Sequence, residues 1–297
     1  MKSDLKEQFI SANGHRFHVV LAGPQDGEPV MLLHGFPEFW YGWRHQIDAL
    51  VQAGFRVIIP DQRGYAWSDK PQGINAYRVE ELVADITGLI TACGYEQVNL
   101  AGHDWGALVA WETAMWCPER VRRLAILNVP HPDVMRTFMR THASQLKKSW
   151  YIFFFQIPGL PEWLLSRKHF EALRQMTASS SRPGSFDEND LAKYLEAWRQ
   201  PGALSAMINW YRALFRAMLP FSRKSAAGGS RRIKPPVIML WGKQDLALDH
   251  EMAPLSIEFC DQGTLLLFDQ ATHWVQHDEA EAVNRHLVDF FQPTGEG

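Results

Sequence analysis

Cysteine is scarce and unpatterned. Only Cys93, Cys117 and Cys260 occur in 297 residues, and none stands at metal-binding or redox spacing, which excludes a disulfide scaffold and points to a reducing compartment. Long apolar runs are missing too; the densest stretch, residues 151–155, is far too short to cross a bilayer. Residues 1–9 are charged and have no apolar signal core, so the expected location is cytoplasmic and no membrane partner is expected. Neither charge sign dominates. The formal net charge of −3 gives no global field toward nucleic acid or an anionic surface. One basic cluster exists, Arg223, Lys224, Arg231, Arg232 and Lys234, but it has no interleaved aromatic residues and reads as a solvated hinge, not a nucleic-acid surface. No internal repeat is present.

What the chain does have is a large apolar content, 46% hydrophobic residues and 12 tryptophans against 21% charged, enough for a sizeable unstapled core. Residues 7–22 split at Asn13-Gly14, a hairpin signal. Residues 29–33, a short continuously apolar run, read as a strand buried on both faces, and 56–60, the stretch from Val98 that leads into a glycine-flanked turn, 121–128, 237–241 and 264–268 read as further strands. Helices are expected at 43–53, 79–93, 105–116 and 278–291, the last turning Val283, Leu287 and Phe290 inward. This alternation predicts an α/β fold with a mainly parallel sheet covered on both faces. The rhythm stops at Pro130-His131-Pro132. From there to about 232 the pattern is helical, with helices expected at 135–148 and 190–199. A third apolar helical face carries Leu204, Met207, Ile208, Tyr211, Leu214, Phe215 and Met218. Residues 177–185 read as a loop and 225–230 as a flexible boundary. The expected division is a core in two parts, 1–130 and 233–297, interrupted by a helical cap over 131–232.

Gly102-His103-Asp104-Trp105-Gly106 has the spacing of a nucleophile elbow, in which small flanking residues allow a strained turn that lifts one side chain above the sheet. Serine is the usual occupant; here it is Asp104. Four strand ends carry polar groups: His34-Gly35, Asp104, Asp245 and His273, and ligands in such sheets bind beyond the carboxyl ends of the strands. The order nucleophile, acid, histidine is that of an α/β-hydrolase triad. A carboxylate gains little by attacking an ester, but it attacks sp³ carbon bearing a strained ring oxygen or a halide, giving an alkyl-enzyme ester that must be hydrolysed. His273 suits the base that activates water, with Asp245 fixing its tautomer. The backbone N–H groups of Trp105 and Phe36 suit an oxyanion hole.

With His34-Gly35-Phe36-Pro37-Glu38, Trp43-Arg44-His45-Gln46, Asp61-Gln62-Arg63-Gly64-Tyr65, Ser68-Asp69-Lys70-Pro71 and the elbow, the sequence resembles the α/β-hydrolase epoxide hydrolases. The resemblance covers nearly the whole chain and is weakest over 168–190 and in the tail. It implies that a small apolar epoxide and water are converted to a vicinal diol through an ester on Asp104, with no metal and no organic cofactor. It also implies that Tyr151 and Tyr211 hydrogen-bond the epoxide oxygen, and that Glu38 orients the hydrolytic water, with His34 in a water-orienting or structural role. A cis Phe36-Pro37 bond belongs to the same pattern. On spacing alone, either tyrosine reads equally as a core aromatic, and His103 and His131 read as structural. Phe153, Phe154, Trp163 and Met218 are candidates for the pocket wall.

The nearest rival is a dehalogenase with the same aspartate, and Trp105 is compatible with both. A fluoroacetate dehalogenase usually takes its acid from the strand after the elbow helix, where this chain has Asn128, although Trp150 and Trp210 beside the two tyrosines could serve a halide. A serine esterase is excluded by Asp104, and a non-catalytic binding protein of this fold commonly has a broken triad. A homodimer is left open.

Overall fold

A computed structural model describes residues 3–218 and 231–292. Its sheet has eight strands, β1 (Lys6–Ala12), β2 (His15–Ala22), β3 (Pro29–Leu33), β4 (Arg56–Pro60), β5 (Val98–His103), β6 (Val121–Leu127), β7 (Val237–Gly242) and β8 (Gly263–Phe268), in the order β1-β2-β4-β3-β5-β6-β7-β8. β2 pairs antiparallel with β1 and β4, and every other pairing is parallel.

Strand side chains point alternately to opposite faces. β3 therefore sends Met31 and Leu33 into one apolar cluster and Val30 and Leu32 into another, and β6 divides Leu124 and Ile126 from Ala125 and Leu127 in the same way. Both faces are buried over these positions, which is why β3 reads as an unbroken apolar run. The helices that cover them are α1 (Arg44–Gln52), α2 (Val79–Ala92) and α3 (Trp105–Trp116), then α4 (Pro132–Thr141), α5 (Ala143–Lys148), α6 (Trp150–Phe154), α7 (Leu160–Ser180), α8 (Glu188–Trp198) and α9 (Ala203–Ala217) between β6 and β7. After β7 come α10 (Met252–Ile257), α11 (Val275–Asp278) and α12 (Ala280–Phe291). α2 and α3 supply Leu82, Ile86 and Val109 to the first cluster, and α1 and α12 supply Ile47, Leu50, Val283 and Leu287 to the second. Truncating a core side chain as buried as Leu100 costs on the order of 2–5 kcal/mol. Among the described residues no helix is long and apolar enough to cross a membrane.

Three expectations are corrected. The single helix expected over 135–148 is two, because His142 takes an extended backbone, and the break lets buried Gln145 donate to Ala247 O and accept from Asp249 N–H. The loop expected over 177–185 starts late: α7, whose backbone leaves the helical region at Arg167, Lys168, His169 and Phe170, resumes and runs to Ser180, its serine hydroxyl donating to Met176 O and accepting the Trp274 indole N–H. In α12 it is Phe291 that is fully buried and Phe290 only partly, since positions 283, 287 and 291 share one helical face. Of the basic cluster, Arg231 pairs with Asp133 and Arg232 with Asp261. Arg223, Lys224 and segment 225–230 lie outside the described residues.

Candidate active site

Asp104 is the only residue between β5 and α3. Its backbone sits at φ 51°, ψ −123°, a conformation unfavourable for any residue with a β-carbon. The turn closes because glycine flanks it: a β-carbon on Gly106 would overlap Leu33 O, and one on Gly102 would strike the backbone of Gly106 and Ala107. The side chain is thereby raised at the carboxyl end of the sheet, where the loops after β3, β7 and β8 converge.

Each oxygen of Asp104 has a different neighbour. Oδ1 accepts the Phe36 backbone N–H at 2.6 Å, whereas Oδ2 lies 3.5 Å from His273 Nε2. Trp105 is the first residue of α3, whose N-terminus has no side-chain cap, so its backbone N–H has no partner within the helix. On its other side, His273 Nδ1 lies 2.8 Å from Asp245 Oδ2. Asp245 is fixed from four directions: Oδ1 accepts the N–H groups of Ala247 and Leu248, and Oδ2 also accepts Asn128 Nδ2 at 2.8 Å. Burial opposes the Asp245 charge, but His273 and these donors hold its carboxyl below the usual range. Burial likewise opposes a charged His273, and the carboxylates of Asp245 and Asp104 outweigh it, holding the imidazole well above the usual histidine value.

Above this row stand two phenols. Tyr151 on α6 and Tyr211 on α9 have ring centroids 5.8 Å apart, and both line a cavity of about 340 Å³ with Asp104 and Trp105. Burial, and then the charge of Asp104, raises both phenols, so both remain protonated donors at neutral pH. The Phe36-Pro37 bond is cis.

Comparison with known proteins agrees. The family profile of the alpha/beta hydrolase fold matches residues 28–280. The chain is 44% identical to the AB hydrolase superfamily protein YfhM of Bacillus subtilis (strain 168) over 293 residues, covering 97% of this chain and 98% of that one. It is 39% identical to Epoxide hydrolase 4 of Mus musculus over 282 residues, covering 93% and 76%. The solved structure of the Bacillus megaterium epoxide hydrolase in complex with an inhibitor superposes with a TM-score of 0.85 at 30% identity, covering 95% of this chain and 99% of that one. The chain belongs to the epoxide hydrolases of the α/β-hydrolase fold.

In this epoxide hydrolase the remaining expected site residues lie behind the Asp104 row. His34 is fully buried; its Nε2 accepts the Gln62 N–H at 3.0 Å and its Nδ1 faces Gly35 O at 3.1 Å, which locks the loop that carries Phe36. Glu38 is 2% exposed. Its Oε1 accepts Tyr194 O–H at 2.7 Å and faces His277 Nε2 at 2.9 Å, while Oε2 faces His103 Nδ1 at 3.1 Å and Gln276 Nε2 at 3.2 Å. Burial works against the Glu38 charge, but the His103 and His277 contacts keep its carboxyl well below the usual range. His103 Nε2 in turn lies 2.8 Å from the backbone oxygen of His273. His131, the other histidine expected to be structural, caps α4 by accepting the Asp133 N–H.

Of the expected wall residues, Met218 lines the cavity. Phe153 and Trp163 are instead exposed on the outside, and Phe154 packs against Trp150 and Phe155. Sequence reasoning treated Asn128 only as the place of a missing acid and passed over Tyr194, Gln276 and His277 altogether. The polar strand-end position of Asn128 was the available signal; for the other three there was none. Among the described residues no group of three or more His, Cys, Asp or Glu is arranged to hold a metal ion.

Proposed function

We propose that the enzyme opens an epoxide to a vicinal diol in two steps on Asp104, beneath a cap formed by residues 131–232. The observation that carries this reading is the split environment of one carboxylate: a backbone donor on Oδ1, a histidine at Oδ2, and two protonated phenols across the cavity. Oδ2 attacks a ring carbon, the carbon–oxygen bond breaks toward oxygen, and the oxygen takes a proton from Tyr151 or Tyr211 while the other donates a hydrogen bond. Formation of the ester removes the negative charge of Asp104, one of the causes that hold the His273 imidazole up. The imidazolium then returns a proton to the phenolate through solvent and becomes a base.

Neutral His273 next takes a proton from water as the hydroxide forms a bond to the ester carbon. The negative charge develops on Oδ1, where the Phe36 and Trp105 N–H groups meet it. Collapse breaks the bond between that carbon and the former Oδ2. The departing alkoxide takes the proton left on the new carboxyl group, and His273 is again an imidazolium. Glu38, engaged by four neighbours, acts on the His273 loop through His103. No step needs a metal or an organic cofactor. The three free cysteines fit a reducing cytoplasm.

Two tryptophans bear on the halide alternative. Trp150 is 63% exposed, and the Trp210 indole N–H donates to Arg63 O at 2.9 Å, so neither is free to hold a halide leaving group beside Asp104. The test is His273→Gln incubated with styrene oxide and followed by intact mass. A persistent adduct confined to Asp104, with hydrolysis slowed about 10²–10⁴-fold, is expected; absence of an adduct, with halide release from haloalkanes by the wild type, overturns the reading.

A further inference from the structure

The cavity continues well past the tyrosines. α3 lines it with Trp105, Leu108, Glu112 and Trp116, spaced three and four residues apart and therefore on one face. Glu112 lies eight residues beyond Asp104, roughly 12 Å along the helix at 1.5 Å per residue. Leu108, Val129, Ile152 and Leu214 make the intervening wall apolar. Glu112 interrupts it while being only 7% exposed.

Two polar atoms at this end have no protein hydrogen-bond partner among the described residues: Glu112 Oε2 and Arg231 Nη2. Arg231 lines the same cavity and is anchored by its Nε, which donates to Asp133 Oδ2 at 2.5 Å. Its Nη2 stands 4.0 Å from Glu112 Oε1, too far for a hydrogen bond, so the guanidinium and the carboxyl are neighbours that do not satisfy each other. Burial pushes the Glu112 carboxyl up to about 7; Arg231 and Arg136 pull against this, and Asp133 and Glu80 add to it.

We propose that Glu112 and Arg231 form a polar subsite that selects epoxides carrying a hydroxyl or carboxamide at the far end of an apolar body. With the Glu112 carboxyl ionised, as it is above pH 7, the subsite offers one acceptor and one donor. A hydroxyl or a primary amide answers both, whereas a carboxylate only accepts and an ammonium only donates. Matching both removes two unpaired buried groups at once, and a substrate lacking the polar end leaves them unpaired. The inference rests on the reading of Asp104 as the nucleophile at the other end.

The test compares kcat/KM at pH 8 for 1,2-epoxydecane, its 10-hydroxy derivative and its 10-methoxy derivative, with styrene oxide as the reference. The wild type is expected to favour the hydroxyl-ended epoxide about ten-fold over both others, and Glu112→Leu to bring the three close to equality. Glu112→Gln, which keeps an acceptor and a donor, is expected to retain part of the preference. Turnover of styrene oxide with no more than about two-fold discrimination among the decane series overturns the subsite alone. So does a Leu variant that keeps the preference. Failure of all four epoxides sinks the Asp104 reading and the subsite together. The wild-type comparison decides the matter even where the Leu variant does not fold.

Discussion

The two ends of the cavity are built on opposite terms. At the Asp104 end the supporting bonds are already made: Asp245 receives the Ala247 and Leu248 N–H groups, Asn128 and His273, and His34 is held by Gln62. At the far end, Glu112 Oε2 and Arg231 Nη2 are buried without a hydrogen-bond partner among the described residues. One helix, α3, begins at the first site and reaches the second. A reacting centre gains from groups locked at one geometry through the whole cycle, whereas a recognition site has to keep hydrogen-bonding capacity for what it binds. The contrast therefore separates residues whose loss should stop chemistry from residues whose loss should change substrate choice or stability.

Substitutions sharpen this contrast in descending order of effect. Asp104→Ala removes the attacking oxygen and is expected to lower kcat at least about 10⁴-fold with the far-ultraviolet circular dichroism unchanged; turnover within ten-fold of wild type would place the nucleophile elsewhere. Tyr151→Phe and Tyr211→Phe together are expected to slow alkylation about 10²–10³-fold in a rapid-quench experiment, each alone far less. A double variant with unchanged alkylation would return both rings to a packing role. Asn128→Ala takes one donor from Asp245, and hydrolysis of the ester is expected to slow about ten-fold while alkylation stays within a factor of two, a split that a merely structural defect would not produce.

At the far end the expected effect is one of stability and not of rate. Because the Glu112 carboxyl is pushed up to about 7 in the fold, it holds its proton more tightly folded than unfolded. The stability this confers is present below the ordinary glutamate range and is lost as pH rises toward 7. The groups that face it are Arg231, Arg136, Asp133 and Glu80. Glu112→Gln removes the titration, so the variant should gain about 2–3 kcal/mol over wild type on going from pH 4 to pH 8 in urea unfolding. Parallel pH profiles for the two proteins would show that Glu112 is not held protonated by its surroundings.

The parts of the fold that could be read in advance share a physical property. β3 and β4 match their apolar runs and α3 its expected span, because an element buried on every side has no polar face to blur its limits. In the helices between β6 and β7 the signal is weaker, since short elements draped over a surface carry mixed faces. The break at His142 depends on where Gln145 finds Ala247 and Asp249, and the persistence of α7 through Ser180 depends on Trp274. The candidate site divides in the same way. Asp104, Asp245 and His273 end strands whose order a parallel sheet dictates, whereas the surroundings of Glu38 combine Tyr194, His103 and the adjacent pair Gln276 and His277 from three other places in the chain.

By itself the sequence determined the strained turn at Asp104, through Gly102 and Gly106, and the alternation of strand and helix around it, since both are local demands of backbone sterics and burial. Only the tertiary structure decided that Phe36 faces one oxygen of Asp104 and His273 the other, that Asn128 supports Asp245 in place of a second acid, and that Glu112 faces the same cavity as the elbow. Those pairings join residues brought together by long-range packing, and contacts of that kind leave no periodicity in the chain from which to read them.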